Sequence, residues 1–310
     1  MIERFNSSVE SNKNNAFEMP IFEIKDVLQD PEIENVIQSM RRDVFKSLGI
    51  DDAKSDMVMD QCLKFAKNYD DINEYEQAAH NILESEGVVD AIPEKLIERA
   101  EIIHEQIKKY LKDGLVLDFG CGDARLAQLI AKDGNEVQLA DVYENPNVAK
   151  TGLPFELLEQ GKDIPFEDNK FDNTLLLTVF HHSDDPIQLM KETKRVTKPG
   201  GRVIVIESVY DVDGKELSED ERKKSEEYLA LSPEQQRRVN IFFDHFYNRV
   251  IHNSDDPSKK VNVPFNFNTP EEWKKLFDEQ DLKQEEVVHL GPDQPTVPEY
   301  HTLHVLNVEK

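Results

Sequence analysis

The chain has 310 residues, with 63 Asp and Glu against 37 Lys and Arg, a formal net charge of −26, and 38% apolar residues, enough to bury a core. So acidic a chain is repelled by phosphate backbones and anionic headgroups, which weighs against a nucleic-acid or membrane-surface substrate and reads otherwise as a solubilising surface. Its two cysteines are Cys62 and Cys121; the second falls in a glycine turn that a disulfide would distort, so both are read as free thiols of a reducing compartment.

Residues 1–18 are polar and Asn/Ser-rich, and 1–20 are expected to be a loose tail. The segment Met1–Ser8 lacks the apolar core of a signal peptide, and no run approaches the length of a membrane span. The expectation is a cytoplasmic protein with no membrane partner. Residues 21–111 read as an N-terminal helical region. Val36, Ile37, Met40, Val44 and Leu48 recur at three- and four-residue spacing until Gly49 stops the run, and further helices fall near 55–68 and 72–86. Pro93 is taken as a helix start, followed by the stripe Leu96, Ile97, Ala100, Ile103, Ile107 and Leu111.

The period changes at 112–310. Short β-rich runs at 115–119, 136–141, 154–158, 172–177, 202–207, 282–290 and 301–308 alternate with helical patterns near 124–133 and 186–197. That alternation predicts an α/β fold, a mostly parallel seven-stranded sheet with helices on both faces. Residues 209–262 interrupt it as an insertion: a charged stretch from Asp211 to Glu227, then a helix from Pro233 with Val239, Phe242, Phe243, Phe246, Tyr247 and Val250 on one face. This helix is expected to act as a lid over the substrate, with Asp244, His245, Tyr247 and Arg249 as polar options, or else to bury its aromatic face on the N-terminal helices. Thr269 to Glu272 cap a short helix through Phe277, and the proline-rich run Gly291–His301 joins the last two strands.

The chemistry concentrates in 115–141. An apolar strand ends in Asp118, a turn places Gly120, Cys121 and Gly122, and a second strand closes on Asp141. Small residues let a nucleoside-bearing cofactor approach the backbone, and a terminal acid can accept both ribose hydroxyl protons. Asp118 stands where its carboxylate would receive turn amides, or the cofactor's ammonium through water. A dinucleotide site shares these parts, but its third small position is occupied here by Arg125, and Asp118 is unfavourable beside a pyrophosphate.

The downstream series continues with Gly161 to Phe166, Asn169 to Asp172, Leu177-Thr178-Val179-Phe180-His181-His182, and Arg195 to Arg202. In order and spacing over 115–207 it resembles the class I S-adenosylmethionine-dependent methyltransferases, in the broad group that includes the ubiquinone/menaquinone type. The resemblance implies a Rossmann-like sheet and S-adenosylmethionine as cofactor. Gly120 and Gly122 would pass under its methionine part, with Cys121 between them as a small residue of the cofactor-binding turn, Asp141 would bind the ribose, and Gln160 with Gly161 would flank the adenine. Thr178 would lie near the amino-acid end. Many relatives carry Asp where Gln160 stands and an acid where Thr178 stands, which bears on affinity more than on fold.

Methyl transfer asks the protein mainly to position a nucleophile and sometimes to take its proton. His181 and His182 follow the fourth strand at the carboxyl edge, where a neutral imidazole can serve as base. The competing reading makes them structural, packing on the cofactor or capping the turn Ser183 to Pro186. His181, His182, Asp184 and Asp185 have ligand chemistry, but adjacent histidines on a turn point apart and no spaced third ligand is evident, so no metal is expected. The expected activity is methyl transfer to a small-molecule acceptor, on O, N or C. The alternatives are a methyltransferase of a basic protein partner and an inactive cofactor-binding regulatory protein. The oligomeric state is not readable.

Overall fold

The computed structural model describes residues 19–254, 256, 259–292 and 298–309. The expected tail therefore lies outside the described residues, except that Met19 and Pro20 open the first helix.

Seven strands form one sheet: β1 (Leu115–Phe119), β2 (Glu136–Asp141), β3 (Phe155–Leu157), β4 (Phe171–Leu177), β5 (Thr197–Ser208), β6 (Leu282–Gly291) and β7 (His301–Val308), in the order β3-β2-β1-β4-β5-β7-β6. β1 to β5 pair in parallel, and β7 is antiparallel to both β5 and β6. The central strands are buried along most of their length because helices cover both faces. The strand order reverses between β1 and β4, so the carboxyl ends of β1, β2 and β4 open onto the crevice where such sheets bind ligands. β5 begins earlier than expected. Phe171 pairs with Thr197 and Asn173 already with Arg202, so Pro199, Gly200 and Gly201 bulge inside the strand.

The N-terminal region is five helices: α1 (Met19–Val27), α2 (Pro31–Ser47), α3 (Asp52–Asn68), α4 (Ile72–Ser85) and α5 (Val88–Ile107). Asp30, Asp51 and Asp71 cap α2, α3 and α4 by accepting from first-turn amides. Pro93 does not start a helix: α5 begins at Val88, after Gly87 in the left-handed region, and runs through the proline. Val88 and Ile92 are buried in the core, and that packing holds the first turn although Pro93 has no N–H for the Val89 carbonyl.

The remaining helices are α6 (Arg125–Lys132), α7 (Val148–Thr151), α8 (Pro186–Val196), α9 (Glu219–Lys224), α10 (Glu226–Leu229), α11 (Pro233–His245) and α12 (Pro270–Glu279). A π-helical stretch, Phe246–Ile251, continues α11. The capping box of Thr269 and Glu272 opens α12 as its sequence predicts.

Two cores flank the sheet. On one face Ile103 and Ile107 of α5 and Ala127 and Ile130 of α6 pack on Val116, Val137, Leu175 and Ile204. On the other, Ile37, Met59, Leu83 and the aromatic face of α11 share one core with Leu176, Val203 and Val205. The aromatic face of the insertion is thus buried on the N-terminal helices. Polar clamps fix the same junction: Gln235 donates to Asp30 (3.1 Å) and Glu32 (2.9 Å), and Arg238 pairs with Asp26 (2.9 Å). Among the described residues, no helix is long and apolar enough to cross a membrane.

Candidate functional site

β1 delivers Asp118 and then turns at Gly120, whose φ of 73° suits glycine. A Cβ there would meet Val179 Cγ2 at 2.7 Å. Gly120 N donates to Ala140 O (2.8 Å), which ties the turn to β2. A Cβ on Gly122 would have nothing within 4 Å, so this side of the turn faces open space. Gly122 N donates to Asp141 Oδ2 (2.9 Å) and Tyr143 N to Oδ1 (3.3 Å), which orients the carboxylate at the end of β2 and leaves lone pairs on both oxygens. Val142 and Leu157 are more than half exposed, and Leu157 sits in register with Asp141, so apolar surface flanks the acid. Gln160 and Gly161 occupy an exposed turn just past β3, after Leu158 N donates to Asp141 O (2.8 Å). The Cys121 thiol is buried and pushed up by burial, with Asp118 and Asp141 adding to the shift, and is inert.

Thr178 directly follows β4 with φ 60°, a left-handed conformation rare for a β-branched residue. Its amide donates to Ile206 O (2.6 Å) and its hydroxyl to Leu177 O (2.6 Å). Backbone held this way at a carboxyl strand end is the kind of strain that functional sites keep.

Asp118 is buried beneath the turn. The turn amides of Gly120, Cys121 and Gly122 go to Ala140 and Asp141, so the expected hydrogen bonds from them to Asp118 are not made. Burial, reinforced by Asp141 and Asp123, pushes its carboxyl up to about 7. Folding disfavours the ionised form, so this group lowers stability as pH rises from its usual range through 7. A cationic ligand that prefers the carboxylate must bind better over the same interval. S-adenosylmethionine affinity is therefore expected to rise between pH 5 and 7 and then level off, with proton release at pH 6. Calorimetry in buffers of different ionisation enthalpy checks this, and Asp118→Asn should flatten the profile.

The histidine pair sits on a short 3-10 turn, Phe180–His182, with ring centroids 4.0 Å apart. Glu207, buried at the end of β5, accepts Val179 N (3.0 Å) and Phe180 N (2.7 Å) on one oxygen and His181 Nδ1 (2.5 Å) on the other. Asp244 of α11 stands 3.7 Å from Nε2 of both His181 and His182. His182 Nδ1 donates to Asn262 O (2.8 Å). Burial alone would lower His181, but Glu207 and Asp244 outweigh it and hold the imidazole well above its usual value. Burial and the neighbouring His181 charge lower His182 to about 4. Neither histidine is a free base of ordinary strength: His181 keeps its proton and His182 takes one weakly. They are held together by residues of β5 and the insertion, not by the Ser183–Pro186 turn alone.

Sequence reasoning missed Glu207 as the anchor of this turn. Its signal was present, since Val203 to Ile206 is an apolar run closed by one acid, as at Asp118 and Asp141. Asp184 and Asp185 do not join the histidines: Asp184 accepts from Asn262 and Asp185 caps α8.

Residues 117–205 match the family model described as a methyltransferase domain. An uncharacterized protein of Methanocaldococcus jannaschii is 31% identical over 140 residues, 43% of this chain and 63% of the relative. A tRNA U34 carboxymethyltransferase of Campylobacter curvus is 38% identical over 66 residues, 21% of this chain and 22% of the relative. Among solved structures, the Burkholderia thailandensis 1,6-didemethyltoxoflavin-N1-methyltransferase with bound 1,6-didemethyltoxoflavin and S-adenosylhomocysteine is 15% identical, with a TM-score of 0.43, covering 69% of this chain and 77% of that one. The chain spans less than two thirds of either relative's length.

Residues 117–205 form a class I methyltransferase domain, whose cofactor is S-adenosylmethionine. The residues present fit that group: an open glycine turn, an oriented acid with free lone pairs, and apolar flanks at Val142 and Leu157.

Proposed function

We propose that the protein methylates a small-molecule acceptor held at the carboxyl ends of β4 and β5. The observation that carries this reading is Asp141, fixed by the Gly122 amide beside the open face of the glycine turn. When bound, S-adenosylmethionine would supply an electrophilic methyl carbon for an acceptor held beside it.

The chain's residues orient and shield. Asp141 accepts the ribose hydroxyls, and Val142 and Leu157 cover the adenine beside Gln160 and Gly161. Gly120, Cys121 and Gly122 line the methionine part, with Asp118 beneath the turn and Thr178 at the amino-acid end. His182 is the partly exposed member of the histidine pair and faces the acceptor, whereas His181 is buried and acts as a positioning residue through Glu207 and Asp244. Phe267 stacks on His181 at 5.4 Å and keeps water from it. The net charge of −26 favours a metabolite over a polynucleotide acceptor, and the free thiols of Cys62 and Cys121 fit a cytoplasmic setting.

Incubation with S-adenosylmethionine and fractionated metabolites should yield S-adenosylhomocysteine and a methylated small molecule. Product only with tRNA or with a protein fraction would sink the small-molecule reading and leave the cofactor reading standing. A cofactor-binding regulatory protein is the second reading, favoured by the absence of a strong free base in the histidine pair; slow cofactor-dependent turnover on any acceptor excludes it.

A further inference from the structure

We infer that His181, His182 and Asp244 form a binding site for one divalent transition metal ion of borderline softness, with Zn2+ as the type. The sequence reading expected no metal because it saw no third ligand. The fold supplies one from α11, Asp244, sixty-two residues beyond His182.

Three observations converge. The nitrogens Nε2 of both histidines lie 3.7 Å from the same Asp244 oxygen, and the three ligand atoms fall within 4.8 Å of one another. A cation about 2.0–2.1 Å from each atom needs ligands roughly 3–3.5 Å apart, so each Nε2–Asp244 separation closes by a few tenths of an ångström and the widest pair by up to roughly an ångström or more, a side-chain rotation rather than a backbone shift. Next, each imidazole is already oriented from behind. Glu207 and the Asn262 carbonyl only accept here, so both Nδ1 atoms carry protons and both Nε2 atoms are the ones presented to Asp244. A carboxylate or carbonyl behind each histidine is the outer arrangement that metal-binding imidazoles use. Finally, Asp244 is 1% exposed and its Oδ2 has no hydrogen-bond partner, although Asn248 donates to Oδ1 (2.8 Å). A buried carboxylate with one oxygen unpaired carries free energy that a cation removes in full only by taking both Oδ1 and Oδ2 as ligands.

Two imidazoles and one carboxylate favour Zn2+ and its neighbours over Mg2+, which prefers oxygen ligands. The balance is simple: the cation takes the Nε2 lone pairs, and any proton on His181 Nε2 leaves to solvent. On the methyl-transfer reading, on which this last clause rests, the ion would lie on the acceptor side of the glycine turn, because Val179, which packs over Gly120, directly precedes the histidine turn.

The test uses untagged, chelator-dialysed full-length protein, titrated by calorimetry with Zn2+ and, separately, Mg2+. The expected result is one Zn2+ per chain at micromolar affinity or tighter, with no Mg2+ response, and visible absorption bands when Co2+ replaces Zn2+. Asp244→Asn and His182→Gln should each weaken Zn2+ binding at least tenfold, and Asp184→Asn should leave it unchanged. Circular dichroism verifies folding, and His182→Gln decides if Asp244→Asn fails to fold. No Zn2+ binding by the wild type, or binding undiminished in His182→Gln, overturns the inference. S-adenosylmethionine binding is measured in the same metal-free protein, so failure of the metal site and failure of the cofactor reading are separate results.

Discussion

Glu76→Ala is expected to destabilise the protein by about 3–5 kcal/mol, the range for leaving buried charges without their partner. Glu76 of α4 is fully buried, and three cationic or titratable groups of the insertion converge on it: His245 Nε2 (3.2 Å), Arg249 Nη2 (3.1 Å) and Lys260 Nζ (2.8 Å). Burial would raise its carboxyl, yet the hydrogen bond and charge of His245, with Arg249 and Lys260, win and hold it below its usual value. The ionised state is therefore favoured by folding. The stability it contributes is present above the usual carboxylate range and is lost as pH falls through the lowered value. Denaturant unfolding at pH 7 should show the large loss for Glu76→Ala, shrinking in acid. Removal of the exposed Lys25–Asp70 pair should leave the unfolding midpoint nearly unchanged, because solvent screens it. The effect reaches the site as well, because α11 and its π-helical continuation carry His245 and Arg249 next to Asp244. The N-terminal helices thus hold the insertion that completes the histidine cluster.

The second large effect is on binding. Asp141→Ala is expected to weaken S-adenosylmethionine by on the order of 100-fold, about 2.7 kcal/mol, the scale of one or two charge-assisted hydrogen bonds to ribose hydroxyls. The loss should be confined to the ligand. The amides that Asp141 accepts, from Gly122 and Tyr143, lie at the crevice edge and can turn to water. Melting of the variant should shift little, and calorimetry should show the weakened affinity for both S-adenosylmethionine and S-adenosylhomocysteine. Unchanged affinity in a folded variant would remove Asp141 from the site.

The glycine turn and the sheet were legible because they depend on local pattern. An apolar run closed by an acid, then glycines at 120 and 122, leaves few backbone solutions, and the strand ends came within a few residues except at β5. Pro93 misled because proline marks a helix start only when nothing else holds the preceding turn; Val88 and Ile92 held it by long-range burial that no local window contains. The histidine cluster was half legible. His181 and His182 announce themselves as a pair, but their partners Glu207, Asp244 and Asn262 arrive from β5, α11 and a loop, across separations that periodicity does not encode. Likewise the aromatic face of 233–252 leaves a lid and burial on the N-terminal helices both open to a reader of the sequence, and the ion pairs at Glu76 decide for burial.

The measurement that bears most directly on the account is a calorimetric titration of the wild-type protein with S-adenosylmethionine and S-adenosylhomocysteine, with NAD as control. The account predicts saturable one-to-one binding of both sulfur ligands and no response to NAD. Binding of NAD, or of neither sulfur ligand, would contradict the cofactor site built on Gly120, Gly122 and Asp141.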